Sequence, residues 1–208
     1  MEKLLIIGAG GHGKVVADTA LEAQRWKDIC FLDDDNTSKD NLYRILGNID
    51  QLPAFITEFE VVVAIGNNKM REQILLWAIE LGCSIGIVVH PKAFISRSVN
   101  IGVGVVVFAH AVVNVQADIG MGCIVNTGAI VEHDCVLDSC VHISPNAVLA
   151  GGVKIGKCSW VGMGTSIIEN INVGKNVIIG AGSVVINDIC DSIVVVGSPA
   201  GVIKNNER

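Results

Sequence analysis

Residues 119–155, IGMGCIVNTGAIVEHDCVLDSCVHISPNAVLAGGVKI, decide the fold of this protein, because an aliphatic residue recurs in this stretch at every sixth position. The same period runs from Ile95 to Val185, and all sixteen of its positions are Ile, Leu or Val. A period of six fits neither the 3.6-residue period of an amphipathic helix nor the two-residue alternation of a half-buried strand. It is typical of a parallel β-helix of hexapeptide repeats, in which each aliphatic side chain points inward.

A second position of each hexad is almost as restricted as the first. It holds Val, Ala, Cys, Ser, Thr or Ile from Val99 through Ile189. A small residue there lets the chain turn or pack, and glycine pairs such as Gly120 and Gly122 supply permissive backbone at the corners. If the prism is triangular, three hexads complete one coil of eighteen residues.

The composition indicates a globular protein with a large core and argues against nucleic acid as a partner. Half of the 208 residues are apolar, whereas aromatic residues contribute 4%. This balance is expected of a core made of stacked aliphatic side chains. The net charge of −6 argues against a protein that binds the phosphate backbone of nucleic acid.

The cysteines and the N-terminal sequence both favour a cytoplasmic location. Seven cysteines are an odd number, no CxxC pair occurs among them, and Cys123 and Cys135 occupy the second hexad position. We interpret them as reduced core residues. The sequence has neither a signal-peptide pattern nor an apolar run of membrane-spanning length, so we expect a cytoplasmic protein without membrane insertion.

The region before the hexads alternates between buried strands and helices. A strand, a glycine turn, a helix and a second strand are predicted, in that order, at Lys3–Gly8, Ala9–Gly13, Lys14–Trp26 and Ile29–Leu32. This order begins a short parallel α/β sheet, which resembles half of a Rossmann fold.

The rest of this region is expected to extend the same sheet. A loop, a strand, a helix and a last strand are predicted at Gly47–Ala54, Val61–Ile65, Lys69–Leu81 and Ser84–Val89. The dipeptide His90-Pro91 breaks the pattern just before the hexads begin. We therefore predict two domains, an α/β domain at residues 1–91 and a β-helix with a C-terminal tail at residues 92–208.

The glycine turn is the first candidate site. Residues 8–13 read GAGGHG, which matches G-x-G-x-x-G between a strand and a helix, and Asp33 follows about twenty residues later. A nicotinamide dinucleotide site is one interpretation, but it needs two such halves, and only about ninety residues precede the solenoid. A second interpretation is that the glycines only let the strand and the helix pack closely.

We favour a third interpretation, a mononucleotide or nucleotide-sugar site. Backbone N–H groups and the helix dipole suit a phosphate, and Asp33 or Asp34 suits a ribose or a base. An imidazole in a bare glycine turn, at His12, is suited to facing a ligand. Residues 66–68, GNN, would line the same crevice at the end of the next strand.

The polar exceptions within the solenoid form the second candidate site. Residues 131–135 read VEHDC, which places three ionisable side chains in one hexad. An imidazole can act as a general base at neutral pH, and a neighbouring carboxylate holds its tautomer and raises its basicity. A lone histidine on a β-helix is ordinarily a surface residue, but Asn126, Asp134 and His142 lie near His133 in the sequence, so we favour catalysis.

Two further expectations concern this second site. His133 and His142 are nine residues apart, which is half a coil, so we predict a site in the groove between adjacent subunits of a symmetric oligomer. Cys135 is an alternative nucleophile, but its inward-facing slot argues against that role.

The hexads resemble those of the left-handed β-helix acyltransferases, which are trimers that use acetyl- or acyl-CoA. The whole chain resembles their NeuD-like branch, which includes the N-acetyltransferase of bacillosamine biosynthesis and sialic acid O-acetyltransferases. Four motifs carry the resemblance: GAGGHGKVVAD at Gly8–Asp18, FLDD at Phe31–Asp34, AIGNN at Ala64–Asn68 with Arg71 after it, and NTGAIVEHDC at Asn126–Cys135.

The resemblance implies an acetyl-CoA-dependent enzyme that acetylates the 4-amino group of a UDP-4-amino-4,6-dideoxy sugar without a metal. It implies that His133 is the general base, that Asp134 takes the place of the Glu paired with that base, and that Asn126 is an active-site residue. It also implies contacts with acetyl-CoA by His142, Met163 and Ala181. The residues implied to bind the nucleotide sugar are Gly10, Gly11, His12, Gly13, Asp33, Asp34 and Gly66.

One element departs from the pattern of the superfamily. Residues 197–201 read GSPAG, so Gly201 stands where a Lys or Arg is usual. A cation for the phosphates of CoA must then come from elsewhere, and Lys204 and Lys175 are the candidates.

Three other functions remain open at this point. Sialic acid O-acetylation would use the same base. A zinc lyase resembling the γ-type carbonic anhydrases would use His110, His133 and His142, but the spacings of twenty-three and nine residues do not match that family's ligands. A non-catalytic scaffold would have no use for the cluster of Asn126, His133 and Asp134.

Overall fold

The computed structural model describes residues 1–35 and 43–207 of the chain. The chain divides into two compact units, Met1–Pro91 and Lys92–Arg208. The first unit contains two α-helices and a parallel sheet, and the second consists of short strands.

The first unit follows the predicted alternation of strands and helices. Its elements are β1 (Lys3–Ile7), α1 (Gly11–Glu22), β2 (Asp28–Leu32), β3 (Arg44–Gly47), a 3-10 helix (Ile49–Ala54), β4 (Glu60–Val63), α2 (Asn68–Glu80), β5 (Ser84–Ile85) and β6 (Val88–Val89). The parallel sheet has the strand order β3-β2-β1-β4-β5. Its central strands β1 and β4 read as continuous apolar runs because they are buried on both faces.

Several boundaries differ from those predicted. Helix α1 begins at Gly11, inside the predicted glycine turn, because the Gly10 carbonyl already accepts the N–H of Lys14 at 3.0 Å. It ends at Glu22 rather than Trp26, and Gln24 beyond it adopts a left-handed φ of 53° that does not continue a helix. The edge strand β3 and the 3-10 helix occupy a region where only a loop was predicted, and the predicted strand Ser84–Val89 is two short strands.

The second unit repeats one motif, a two-residue strand followed by a four-residue corner. In chain order its strands are β7 (Phe94–Ile95), β8 (Asn100–Ile101), β9 (Val106–Val107), β10 (Val112–Val113), β11 (Asp118–Ile119), β12 (Ile124–Val125), β13 (Ile130–Val131), β14 (Val136–Leu137), β15 (His142–Ile143), β16 (Val148–Leu149), β17 (Lys154–Ile155), β18 (Trp160–Val161), β19 (Ser166–Ile167), β20 (Asn172–Val173), β21 (Ile178–Ile179), β22 (Val184–Val185), β23 (Ile193–Val196) and β24 (Gly201–Asn205).

These strands form three sheets, which we call face 1, face 2 and face 3. Face 1 has the order β22-β19-β16-β13-β10-β7, face 2 has β20-β17-β14-β11-β8, and face 3 runs β24-β23-β21-β18-β15-β12-β9. Each two-residue strand pairs in parallel with the strand eighteen residues away, as in Val112 with Ile130 and Ile124 with His142. The predicted β-helix with a three-hexad coil is therefore confirmed.

The core of the second unit consists of the two restricted hexad positions. The inward aliphatic residues, for example Val131, Ile143 and Leu149, are fully buried. Where the second position is polar, its side chain donates to a backbone carbonyl: Ser159 Oγ donates to Gly174 O in the next coil at 2.7 Å, and Ser183 Oγ donates to Gly180 O in its own coil at 2.7 Å. These bonds satisfy groups that would otherwise be costly to bury.

The corners need one residue with a left-handed backbone in most hexads. Glycine provides it at positions such as Gly122, whereas Asp134 and Asn146 adopt φ values of 59° and 57°. Asp and Asn tolerate this region better than most side chains do. Within the described ranges, no helix is long and apolar enough to span a membrane.

Candidate active site

His133 and Asp134 form a hydrogen-bonded pair at the corner that follows β13 on face 1. Nδ1 of His133 lies 2.7 Å from Oδ2 of Asp134, and the side chains are 57% and 56% exposed. An ionised carboxylate only accepts hydrogen bonds, so Nδ1 carries a proton, and in the neutral ring the lone pair is on Nε2. The pair therefore presents a basic nitrogen at the surface, as a general base requires.

The other reactive side chains of the same hexad are engaged elsewhere. Oε2 of Glu132 accepts a hydrogen bond from Nδ2 of Asn114 at 2.8 Å. Cys135 is fully buried, its Sγ donates to the carbonyl oxygen of Ala150 at 3.2 Å, and burial raises the pKa of its thiol to about 11. This cysteine is therefore a protonated core residue at neutral pH.

Asn126 and His142 form a second hydrogen-bonded pair, which lies on face 3. Oδ1 of Asn126 accepts the backbone N–H of Thr127 at 2.8 Å, so the amide nitrogen of Asn126 points the other way. That nitrogen lies 3.1 Å from Nε2 of His142. Because an amide nitrogen only donates, Nε2 of His142 is the acceptor and the neutral ring carries its proton on Nδ1.

Trp160 supports His142 from the next coil, a role that was not predicted. Their rings stack with centroids 6.0 Å apart and an interplanar angle of 12°. Nε1 of Trp160 also donates to Oγ of Ser144 at 2.6 Å. The pairing of β15 with β18 places His142 directly opposite Trp160. Because the two residues are eighteen positions apart, the length of one coil, the sequence could have predicted that they are neighbours.

Met163 and Ala181, both predicted to contact acetyl-CoA, are exposed and lie one above the other at one corner of the β-helix. Met163 follows β18 and its side chain is 62% exposed. The backbone N–H of Gly182, next to Ala181, donates to the carbonyl of Met163 at 2.8 Å. Both residues follow face 3 strands, as His142 begins one, so the three share one side of the prism.

The structure thus arranges the three predicted catalytic residues and the predicted acetyl-CoA-binding His142 as two separate pairs. His133 and Asp134 follow a strand of face 1, whereas Asn126 and His142 belong to face 3. Among residues 1–35 and 43–207, moreover, no three His, Cys, Asp or Glu side chains are grouped as they would be around a metal ion. The three histidines considered for zinc are not assembled into such a group within the chain.

In the first unit, the two aspartates predicted to bind substrate also order the loops around them. Asp33 accepts the backbone N–H of Ala9 through Oδ2 and that of Asp35 through Oδ1. Asp34 Oδ1 accepts the N–H of Ile49 at 3.0 Å. The bond to Ala9 ties the glycine turn to the residue that follows β2.

The glycines of the predicted phosphate turn have different physical roles. A Cβ at Gly13 would lie 1.9 Å from the carbonyl oxygen of Gly8, so Gly13 is needed for close packing of α1 on β1. A Cβ at Gly10, Gly11 or Gly66 would meet nothing within 4 Å. These three glycines border open space, which is compatible with the close approach of a ligand.

His12 and Arg71 lie near each other in the first unit. Burial and the nearby Arg71 guanidinium lower the pKa of His12 from 6.5 to about 4, so the imidazole is neutral at pH 7. Arg71 is 1% exposed and donates to Ile65 O at 2.9 Å and to Asn68 Oδ1 at 2.8 Å. It thereby holds the loop that contains Gly66.

The two lysines considered for the phosphates of CoA both lie in the second unit. Nζ of Lys175 is 3.6 Å from Oδ2 of Asp191, in an exposed ion pair. Lys204 lies on the exposed strand β24, which also begins with Gly201.

Comparisons with known proteins identify the family of this chain. Residues 3–77 match the family described as the PglD N-terminal domain. The acetyltransferase domain of PglB from Neisseria gonorrhoeae FA1090 is 42% identical, with a TM-score of 0.94, over 98% of this chain and 100% of that one. The same domain in complex with acetyl coenzyme A is 43% identical, with a TM-score of 0.95, over 97% and 99% of the two chains.

A second relative has been solved with a nucleotide sugar. It is a histidine-to-asparagine variant of perosamine N-acetyltransferase from Caulobacter crescentus, in complex with CoA and GDP-perosamine. It is 34% identical, with a TM-score of 0.93, over 98% of this chain and 97% of that one. The chain therefore belongs to the NeuD-like family of left-handed β-helix enzymes, and within that family to the acetyl-CoA-dependent sugar N-acetyltransferases.

Proposed function

We propose that this enzyme acetylates the 4-amino group of a UDP-4-amino-4,6-dideoxy sugar, as in bacillosamine biosynthesis, with His133 as the general base. The observation that carries the proposal is the 2.7 Å bond between His133 Nδ1 and Asp134 Oδ2, which leaves Nε2 as the basic atom at an exposed corner. The 42% identity to a PglB acetyltransferase domain supports the choice of the sugar class.

The reaction proceeds by direct transfer. The 4-amine attacks the thioester carbonyl of acetyl-CoA, a C–N bond forms, and Nε2 of His133 accepts the proton that the amine loses. The C–S bond then breaks, and the departing sulfur receives a proton to give free CoA. His142 contacts acetyl-CoA near the thioester, Asn126 is hydrogen-bonded to His142, and backbone N–H groups stabilise the negative charge on the carbonyl oxygen. The buried thiol of Cys135, with its raised pKa, supports a route without an acyl-enzyme.

The first unit binds the nucleotide part of the acceptor. Support comes from the open space above Gly10, Gly11 and Gly66 and from the ordered carboxylates of Asp33 and Asp34. His12 is neutral, so it suits a hydrogen bond with a base, a ribose or a sugar hydroxyl better than a salt bridge with a phosphate.

The active enzyme is a trimer whose sites lie between subunits, and it works in the cytoplasm. The two pairs, His133 with Asp134 and Asn126 with His142, belong to different faces of one prism, so a neighbouring copy is needed for them to converge. All seven cysteines are free thiols, which suits a reducing compartment.

A thiol-release assay with acetyl-CoA tests these assignments. The acceptors are UDP-4-amino-4,6-dideoxy-N-acetylglucosamine, its dTDP and GDP relatives, and sialic acid, and a His133→Ala variant is measured beside the native enzyme. We expect fast release with the UDP sugar and a loss of about 10² or more in kcat for the variant.

Each other outcome changes a definite part of the proposal. Preference for the GDP or dTDP sugar corrects the nucleotide, and release only with sialic acid corrects the reaction to O-acetylation. If His133→Ala keeps the native kcat, His133 is not the general base. If sedimentation shows one species of monomer mass at all concentrations, and that species is fully active, the enzyme does not need a trimer.

A further inference from the structure

The imidazole of His133 lies against the backbone of Gly151 in the next coil. The parallel pairing of β13 with β16 and the bond from Gly152 N to His133 O, at 2.9 Å, place the two residues side by side. An ideal Cβ built on Gly151 would lie 2.4 Å from Cε1 and 2.5 Å from Nε2 of His133. Real Cβ atoms do not approach other heavy atoms this closely, so any side chain at position 151 would occupy the place of the imidazole.

The fold itself gives no reason for a glycine at this position. Gly102, Gly156 and Gly162 would each bring a Cβ within 2.6 Å of backbone atoms in the next coil, so close packing of the coils requires them. Other corner glycines, such as Gly152 with φ 72°, have a left-handed backbone that other residues rarely adopt. Gly151 has neither feature, and the nearest atoms to its hypothetical Cβ all belong to the ring of His133.

We propose that Gly151 is a positioning residue of the active site, whose missing side chain creates the space in which His133 is held as the base. This inference rests on the proposed role of His133. The ring is fixed from two directions, by Asp134 Oδ2 at Nδ1 and by the bare backbone of Gly151 beneath Cε1 and Nε2. An added methyl group must displace the ring, and the displacement either breaks the bond to Asp134 or moves Nε2 away from the reacting amine.

The substitution Gly151→Ala tests this role without endangering the fold, since the nearest atoms to the added Cβ belong to the exposed ring of His133 and not to the backbone. A displacement of about 1 Å at a reacting group can lower the rate about 10²-fold. We expect kcat to fall 10- to 100-fold, while KM for acetyl-CoA stays within about 3-fold and the melting temperature within a few degrees. Gly86→Ala in the first unit is the matched control, because its Cβ would meet only ordinary contacts at 3.4 Å or more.

A double variant separates this inference from the base assignment. In His133→Ala the imidazole is absent, so adding Gly151→Ala should lower neither the residual kcat nor the melting temperature further. The positioning role is overturned if Gly151→Ala keeps full kcat while His133→Ala loses it, or if the double variant is clearly worse than His133→Ala alone. If His133→Ala itself keeps full activity, the base assignment fails first, and the inference about Gly151 fails with it.

Discussion

The indole of Trp160 stacks on the imidazole of His142 and at the same time donates a hydrogen bond to Ser144, two residues after His142. A single side chain in the next coil therefore holds the ring plane of His142 and anchors itself to the same strand–corner segment. Asn126 completes the support at Nε2, so the ring is restrained both in its plane and across it.

Loss of this stacking should weaken the use of acetyl-CoA. We expect Trp160→Ala to lower kcat/KM for acetyl-CoA roughly 10-fold, because His142 would lose the surface that restrains its plane. Trp160→Phe keeps a stacking ring and loses only the bond to Ser144, so it should stay within about 3-fold of the native enzyme. Steady-state kinetics measure kcat/KM for acetyl-CoA in each variant. Ile178→Ala, on the neighbouring strand, is the control. Equal losses in all three variants would contradict a specific role for the stacking.

Removal of the Asp134 charge should disable the base while leaving the corner intact. Asn has nearly the same shape and tolerates the left-handed φ of 59° at this position. We expect Asp134→Asn to lower kcat about 10²-fold or more, because the Nδ1–H tautomer of His133 and its basicity lose their support.

The control for Asp134 is Asp134→Glu, which keeps a carboxylate that can reach Nδ1 and should recover most of the rate. Melting temperatures for both variants show whether the fold has changed. A fully active Asp134→Asn enzyme would mean that the 2.7 Å contact has no part in catalysis.

Cys135 should be dispensable for activity and resistant to alkylation. Burial raises the pKa of its thiol to about 11, so the reactive thiolate is scarce at pH 8. Cys135→Ser keeps a donor for the carbonyl of Ala150, as Ser159 does for Gly174, and should retain kcat within about 2-fold. Mass spectrometry after iodoacetamide treatment should find that the exposed Cys190 is modified before Cys135. Rapid modification of Cys135 with loss of activity would instead support Cys135 as a catalytic nucleophile.

Acid should destabilise the protein partly through His12. The pKa of His12 is lowered from 6.5 to about 4, so between these values the unfolded chain binds a proton that the folded chain does not. Stability from this residue is therefore fully present above pH 6.5 and is lost as the pH falls towards 4, a difference of about 3 kcal/mol at most.

Melting temperatures at pH 7.5 and pH 5 measure this contribution of His12. The drop between the two pH values should be smaller in His12→Gln than in the native protein. His110→Asn, at an exposed corner with a φ of 60°, should keep the full drop. The same drop in all three proteins would show that His12 is accessible to protons in the folded state.

Sequence periodicity was sufficient for the β-helix because the repeat is both local and strict. One hexad corresponds to one strand and one corner, so the aliphatic positions from Val107 to Val185, which are buried, could be assigned to the interior without knowing any long-range contact, whereas Ile95 and Ile101 in the first coil are only partly buried. In the first unit the sequence pattern was weaker for the strand at the edge of the sheet. Strand β3 has only two strongly apolar residues, Ile45 and Leu46, and is defined by its pairing with β2 at the edge of the sheet. The start of α1 was misplaced because glycines usually mark turns, whereas Gly11 and Gly13 lie in the first helical turn here.

The coil, the candidate base and its adjacent carboxylate could be predicted from the sequence, because they depend on residues that are close along the chain. The stacking of Trp160 on His142, the contact of Gly151 with His133 and the bond from Ala9 to Asp33 became visible in the folded structure alone. The eighteen-residue register brings the first two pairs into neighbouring coils, but rotamers and hydrogen bonds determine which atoms meet. Those depend on the packing of several segments at once, and a local pattern does not contain that information.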